Sequence, residues 1–211
     1  MSIRHSAFRI ITAGAFVLAG AVAIAVPATA APVDVVYDCQ ADTPLGPEQT
    51  TITQPVEVTA PETVAPGGAL QVVIDPAPTD IPSEVNGNQV KELNTLELKA
   101  PIPANSTYVS AELSGGSNIG DTPPEIAVAD GVATVSIAGP LVGGSTVELP
   151  TVTVQLTAGE SGTIETTLSG TSYEDPGLTF TAVVSSIIGD QNVPVSCFPN
   201  PSPIFSTTTI G

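Results

Sequence analysis

Short runs in which apolar and polar residues alternate, each stopped by glycine or proline, fill most of the chain after residue 55. Alternation puts every second side chain on one face of an extended strand, so each run carries one apolar face that must be buried. Val56-Glu57-Val58 and Leu70-Gln71-Val72-Val73-Ile74 flank a proline- and glycine-rich turn over residues 61–68, and further runs occupy residues 96–99, 108–113, 132–137, 147–156, 164–168, 178–184 and 193–197. Between them, Ser114-Gly115-Gly116, Asp130-Gly131, Gly143-Gly144 and Asp175-Pro176-Gly177 are turn signals at the spacing of an antiparallel sandwich or barrel. The expected fold class is all-β. Only residues 82–93 suggest helical spacing, and Asn86-Gly87-Asn88 interrupts it, so one helical turn at most is expected there.

The N-terminus has a different character. Arg4, His5 and Arg9 precede an apolar stretch over residues 10–26, and Ala28-Thr29-Ala30 follows Pro27, the pattern of a secretory signal peptide cleaved after Ala30. A retained signal anchor is the alternative. The expected division is a signal peptide over residues 1–30 and a secreted β-domain over 31–211, with a possible sub-boundary in the proline-rich region near 76–92. No later stretch reaches the ~18 apolar residues of a transmembrane helix, so an extracellular or wall-associated location is expected. In an exported chain the two cysteines, Cys39 and Cys197, are expected to pair as one disulfide, two free buried thiols being the alternative. Such a bridge would set the first and last strands side by side and argues for one sandwich rather than two.

Charge and composition exclude much chemistry. The chain carries 21 Asp+Glu against 4 Lys+Arg, and beyond the leader only Lys91 and Lys99 are basic, a poor match for nucleic acid. His5 lies in the leader, so a Ser-His-Asp arrangement or a His-liganded metal site cannot be assembled from the mature chain. No phosphate-cradling glycine loop is present, and a Ser-Lys dyad would have to use Lys91 or the strand residue Lys99. Tyr173-Glu174-Asp175 is the densest catalytic candidate, of the kind a glycan-active enzyme could use, against the alternative that Asp175 caps a solvated turn. No cofactor is expected, beyond weak calcium binding at these residues or at Asp34, Asp38 and Asp42. Asn105-Ser106-Thr107 matches a glycosylation sequon, a weak three-residue signal.

Four segments carry a resemblance: Val36-Tyr37-Asp38-Cys39, the turn from Val58-Thr59-Ala60-Pro61 to Gly67-Gly68, the stretch from Gly170-Thr171-Ser172-Tyr173 to Phe180, and Val195-Ser196-Cys197-Phe198-Pro199-Asn200-Pro201. Together they resemble a family of actinobacterial secreted proteins of unknown function. The resemblance implies an immunoglobulin-like β-sandwich at or beyond the envelope of a Gram-positive bacterium, and it transfers no catalytic residue. The expected function is non-catalytic: binding or structural association at the envelope, with an envelope protein or neutral glycan as partner. The alternatives are a carboxylate-based glycan-active enzyme, a soluble carrier with an apolar cavity between its sheets, and a cation-selective pore. Six aromatics, Tyr37, Tyr108, Tyr173, Phe180, Phe198 and Phe205, would make thin girdles for a pore.

Overall fold

The structure is a computed structural model that describes residues 27–29, 32–186 and 189–211. The leader reading falls outside the described residues apart from Pro27–Thr29. Among those described, every regular element is a strand. In chain order they are β1 (Pro27–Thr29), β2 (Val33–Thr43), β3 (Gly46–Pro61), β4 (Thr63–Val64), β5 (Ala69–Pro76), β6 (Thr79–Asp80), β7 (Glu84–Val85), β8 (Asn88–Pro101) and β9 (Ser106–Ser114). There follow β10 (Glu125–Ala129), β11 (Val132–Ile137), β12 (Leu141–Val142), β13 (Thr146–Val147), β14 (Thr151–Ala158), β15 (Gly162–Thr166), β16 (Leu178–Ser186), β17 (Gly189–Pro199) and β18 (Ser206–Ile210). The expected run over residues 147–156 is two strands, because Pro150 stands between β13 and β14 and cannot donate to a ladder.

The principal sheet runs β10-β11-β8-β16-β17-β2-β3-β5-β14-β9, and all its pairings are antiparallel. It folds over so that β8 and β16 face β3, β5 and β14 across a common interior, and its end strands β9 and β10 approach one another without pairing. The result is a sandwich close to a barrel. A small sheet of β15, β18 and β4 covers one part of the interior, where the buried Thr208 donates its hydroxyl hydrogen to the Pro61 carbonyl at 2.6 Å. The proline-rich stretch, residues 75–82, closes β5 and carries β6 on the way to β7.

No helical turn forms in residues 82–93. Asn86 and Gly87 both have positive φ, 51° and 78°, and join β7 to β8 as a tight hairpin with Val85 opposite Asn88. Asn-Gly is the strongest two-residue hairpin signal because both positions of a type I′ turn need positive φ. That local demand overrides the loose helical spacing.

Cys39 and Cys197 form the expected disulfide, with both side chains fully buried. The two residues are direct partners in the ladder between β2 and β17, with Cα atoms 4.1 Å apart. In antibody-type sandwiches the bridge crosses from sheet to sheet; here it joins neighbours within one sheet. The Cys197 strand is the last but one, because β18 follows it and pairs elsewhere.

The alternation is read out as apolar-in, polar-out. Along β14, Val152, Val154, Leu156 and Ala158 are buried while Thr151, Thr153, Gln155 and Thr157 are half-exposed. A pore-forming barrel needs the reverse, an apolar outer band around a polar lumen. No helix among the described residues is long and apolar enough to cross a membrane.

Candidate functional site

The most distinctive chemical environment is the interior itself. Sheets that pack to the usual interior density leave few voids larger than a water molecule, yet here four apolar cavities follow one another between the halves of the sheet. The first, about 120 Å³, is bordered by Tyr37, Ile52, Leu93, Leu96, Leu141 and Phe180 among others. The second, about 150 Å³, lies toward the β2–β3 hairpin against Ala41, Thr43, Val184, Val193 and Val195, and shares Ile52, Pro82, Leu93 and Phe180 with the first. In the other direction a 60 Å³ cavity shares Leu96, Leu98 and Leu168 with the first, and a 30 Å³ cavity beyond it shares Ala100 and Val154 with the third. Strand β8 marks the run: Val90, Leu93, Leu96, Leu98 and Ala100 border successive cavities, and Ile102 just past the strand borders the last. At ~3.3 Å per residue this amounts to roughly 40 Å of extended chain.

Polar groups gather where the second cavity meets the surface: Thr43, Glu48, Thr50, Thr51 and Asn88. This end has a structural cause. β3 pairs with β2 over Gly46–Val56 but with β5 only over Val56–Thr59, so among the described residues the other edge of Gly46–Gln54 has no backbone partner. The gap is spanned by side chains. Asn86 at the β7–β8 turn donates to Glu48 at 3.2 Å, and Gln54 donates to the Ala77 carbonyl at 2.7 Å. Leu45, at the tip of the neighbouring hairpin, is 97% exposed.

One interior side chain carries a hydroxyl that no other described residue engages. Tyr37 belongs to the inward row of β2 with Val35 and Cys39 and is 3% exposed. Its hydroxyl makes no hydrogen bond to any described residue, whereas Thr208 and Thr166, also buried, are both hydrogen-bonded. Burial alone pushes the Tyr37 phenol well above its ordinary value. A phenol held neutral by folding contributes stability that is complete below the ordinary tyrosine pKa of ~10 and falls as pH rises above it. We therefore expect an alkaline loss of stability above pH ~10 that is reduced in Tyr37→Phe, read from urea midpoints across pH; identical alkaline profiles for the two proteins would refute it.

The residues singled out in the sequence lie elsewhere. Tyr173 packs edge-on against Phe198, ring centroids 5.1 Å apart, while Glu174 and Asp175 are exposed. Asp175 is engaged locally: it accepts from the Thr171 hydroxyl at 2.9 Å, and its amide donates to Ser172. The carboxylates thus stand in a solvated turn away from the cavities. Asp34, Asp38 and Asp42 lie along β2 outside its buried row, each ~13 Å from the next at the rise of a strand, and Asp38 accepts from Asn200 at 2.7 Å. Among the described residues no group of three or more His, Cys, Asp or Glu side chains is placed to hold a metal ion. The cavities escaped sequence reasoning because Val, Leu and Ile at inward positions look the same whether they meet or leave space between them. Tyr37 within Val35–Cys39 was the only local signal.

Fold and interior define the class: a disulfide-closed antiparallel β-sandwich that encloses apolar space. Neither family models nor curated proteins match the chain. Among solved structures it is similar to a protein of Corynebacterium diphtheriae, an actinobacterium, provisionally described as membrane anchored. The TM-score is 0.56 at 20% identity, over 86% of this chain and 38% of that one. At that identity the likeness is one of fold, and the chain spans well under half of its neighbour's length.

Proposed function

We propose that the protein acts outside the cytoplasm, at or near the envelope, as a non-catalytic binding protein that holds a slender apolar ligand between the halves of its sheet. The observation that carries this reading is the run of apolar cavities from Val90 to Ile102. Empty space of this kind is costly: at about 24 cal/mol per Å³, leaving the first cavity unfilled forgoes on the order of 3 kcal/mol, a large part of the 5–15 kcal/mol that holds a typical domain together. An apolar chain would recover those contacts. Together the cavities exceed the lower end of the volumes of small-molecule sites, ~300 Å³. Their narrowness suits a single aliphatic chain better than a fused ring system. The disulfide and the membrane-anchored description of the structural neighbour support an extracytoplasmic setting. A strongly acidic surface favours an envelope protein or neutral glycan over anionic polymers as any further partner.

The test uses 1,6-diphenyl-1,3,5-hexatriene, a neutral rod-shaped fluorophore without fused rings, with the wild-type protein and with Ala182→Leu, which adds side-chain volume to the second cavity. Saturable fluorescence displaced by a long-chain alkane is expected in the wild type. In Ala182→Leu, binding falls about tenfold while the ligand-free protein is stabilised by about 1 kcal/mol. Absence of saturable, displaceable fluorescence in the wild type would overturn the proposal.

A further inference from the structure

We infer that the Tyr37 hydroxyl is the polar anchor of the interior site, donating a hydrogen bond to an uncharged oxygen in the middle of a long aliphatic ligand, as in an ester of two alkyl chains. The inference rests on the reading of the interior as a binding site.

Tyr37 borders the first cavity, its hydroxyl has no partner among the described residues, and the other buried hydroxyls are satisfied within the protein. Among the described residues no fully enclosed side-chain oxygen or nitrogen lacks a partner. The phenol oxygen is therefore not sealed off, and Tyr37 borders the 120 Å³ cavity. A phenylalanine would fill the same volume without the stranded oxygen, so the hydroxyl has a use that packing does not supply.

Charge sets the chemistry of the acceptor. Neither Lys91 nor Lys99 borders any of the four cavities, and the acidic groups that do border them, Asp80 and Glu48, would repel an anion. A carboxylate or phosphate drawn into this interior would lose its water with no countercharge to replace it. An ester carbonyl accepts from the phenol without that penalty. Position sets where the oxygen lies along the ligand. The first cavity has the 150 Å³ cavity on one side and the 60 and 30 Å³ cavities on the other, so apolar chain extends both ways from Tyr37.

The experiment compares dodecyl dodecanoate with pentacosane, an alkane of equal chain length, for binding to the wild type and to Tyr37→Phe, with thermal melts confirming that both proteins are folded. The wild type is expected to prefer the ester about tenfold, the value of one neutral hydrogen bond. Tyr37→Phe loses that preference and retains its alkane affinity. In the infrared, the ester carbonyl stretch moves to lower frequency on binding to the wild type and not on binding to the variant. Absence of an ester preference in the wild type, or equal weakening of both ligands by Tyr37→Phe, would overturn the role of Tyr37 and leave the binding interior standing. Failure of both ligands to bind the wild type would remove the binding interior as well.

Discussion

Replacing Cys39 and Cys197 together with alanine lowers the melting temperature by roughly 10–20 °C, the largest change expected from any pair of substitutions in this chain. The bridge closes a loop with a sequence separation of 158, and chain-entropy arithmetic puts the stabilisation from so long a loop near 5 kcal/mol. For a domain of this size each kcal/mol corresponds to about 2–4 °C. Both sulfurs are fully buried on the inward face, so the alanines also leave a small void. Scanning calorimetry of the oxidised wild type beside the double variant gives the value. A drop of less than ~3 °C would mean that the ladder between β2 and β17 holds the chain ends without the bridge.

Gly177→Ala is expected to cost roughly 3 kcal/mol or more, combining overpacking with the loss of ladder hydrogen bonds. A Cβ at this position would lie 1.8 Å from the Ser169 carbonyl oxygen, a backbone atom that cannot swing aside. Gly177 also laces two strands together: its amide donates to the Cys197 carbonyl at 2.9 Å, and its own carbonyl accepts from the Lys99 amide at 2.8 Å. Moving the Ser169 segment therefore disturbs the edge of β8 and the strand that carries the disulfide. Asp175→Asn, two residues away in the exposed turn, preserves an acceptor for Thr171 and is expected to stay within ~0.5 kcal/mol. Urea titration of the two variants side by side is the measurement. Equal stabilities would show that the loop accommodates the methyl group.

The sequence made the strand-rich class legible because the inward faces alternate cleanly in β5, β11, β14 and β16, and because two cysteines in a chain with export features have few other uses. Three parts were harder to read. β3 carries Pro47, Pro55 and Pro61, which argue against a long internal strand; the structure tolerates Pro47 because the strand has a backbone neighbour on one side only from Gly46 to Gln54, and Pro55 stands just before pairing with β5 begins at Val56. The hairpin at Asn86-Gly87 was obscured by the helical spacing of Val85, Val90 and Leu93. The interior site was illegible for a different reason: apolar periodicity reports that a face is covered, and cavity volume depends on how two distant faces meet. The acidic cluster Tyr173-Glu174-Asp175 stood out because the eye follows charge, whereas the phenol of Tyr37 sits among apolar neighbours with no partner among the described residues.

The half-paired stretch of β3 has one more consequence. An unpaired strand edge ordinarily acts as a template on which a second chain can add itself. Here Pro47 removes an amide donor from that stretch, and Glu48 sets a charge beside it. What remains is a margin bridged toward the β7–β8 turn by the side-chain hydrogen bond from Asn86 to Glu48. Parting the sandwich along that margin would break side-chain links and leave the strand ladders intact.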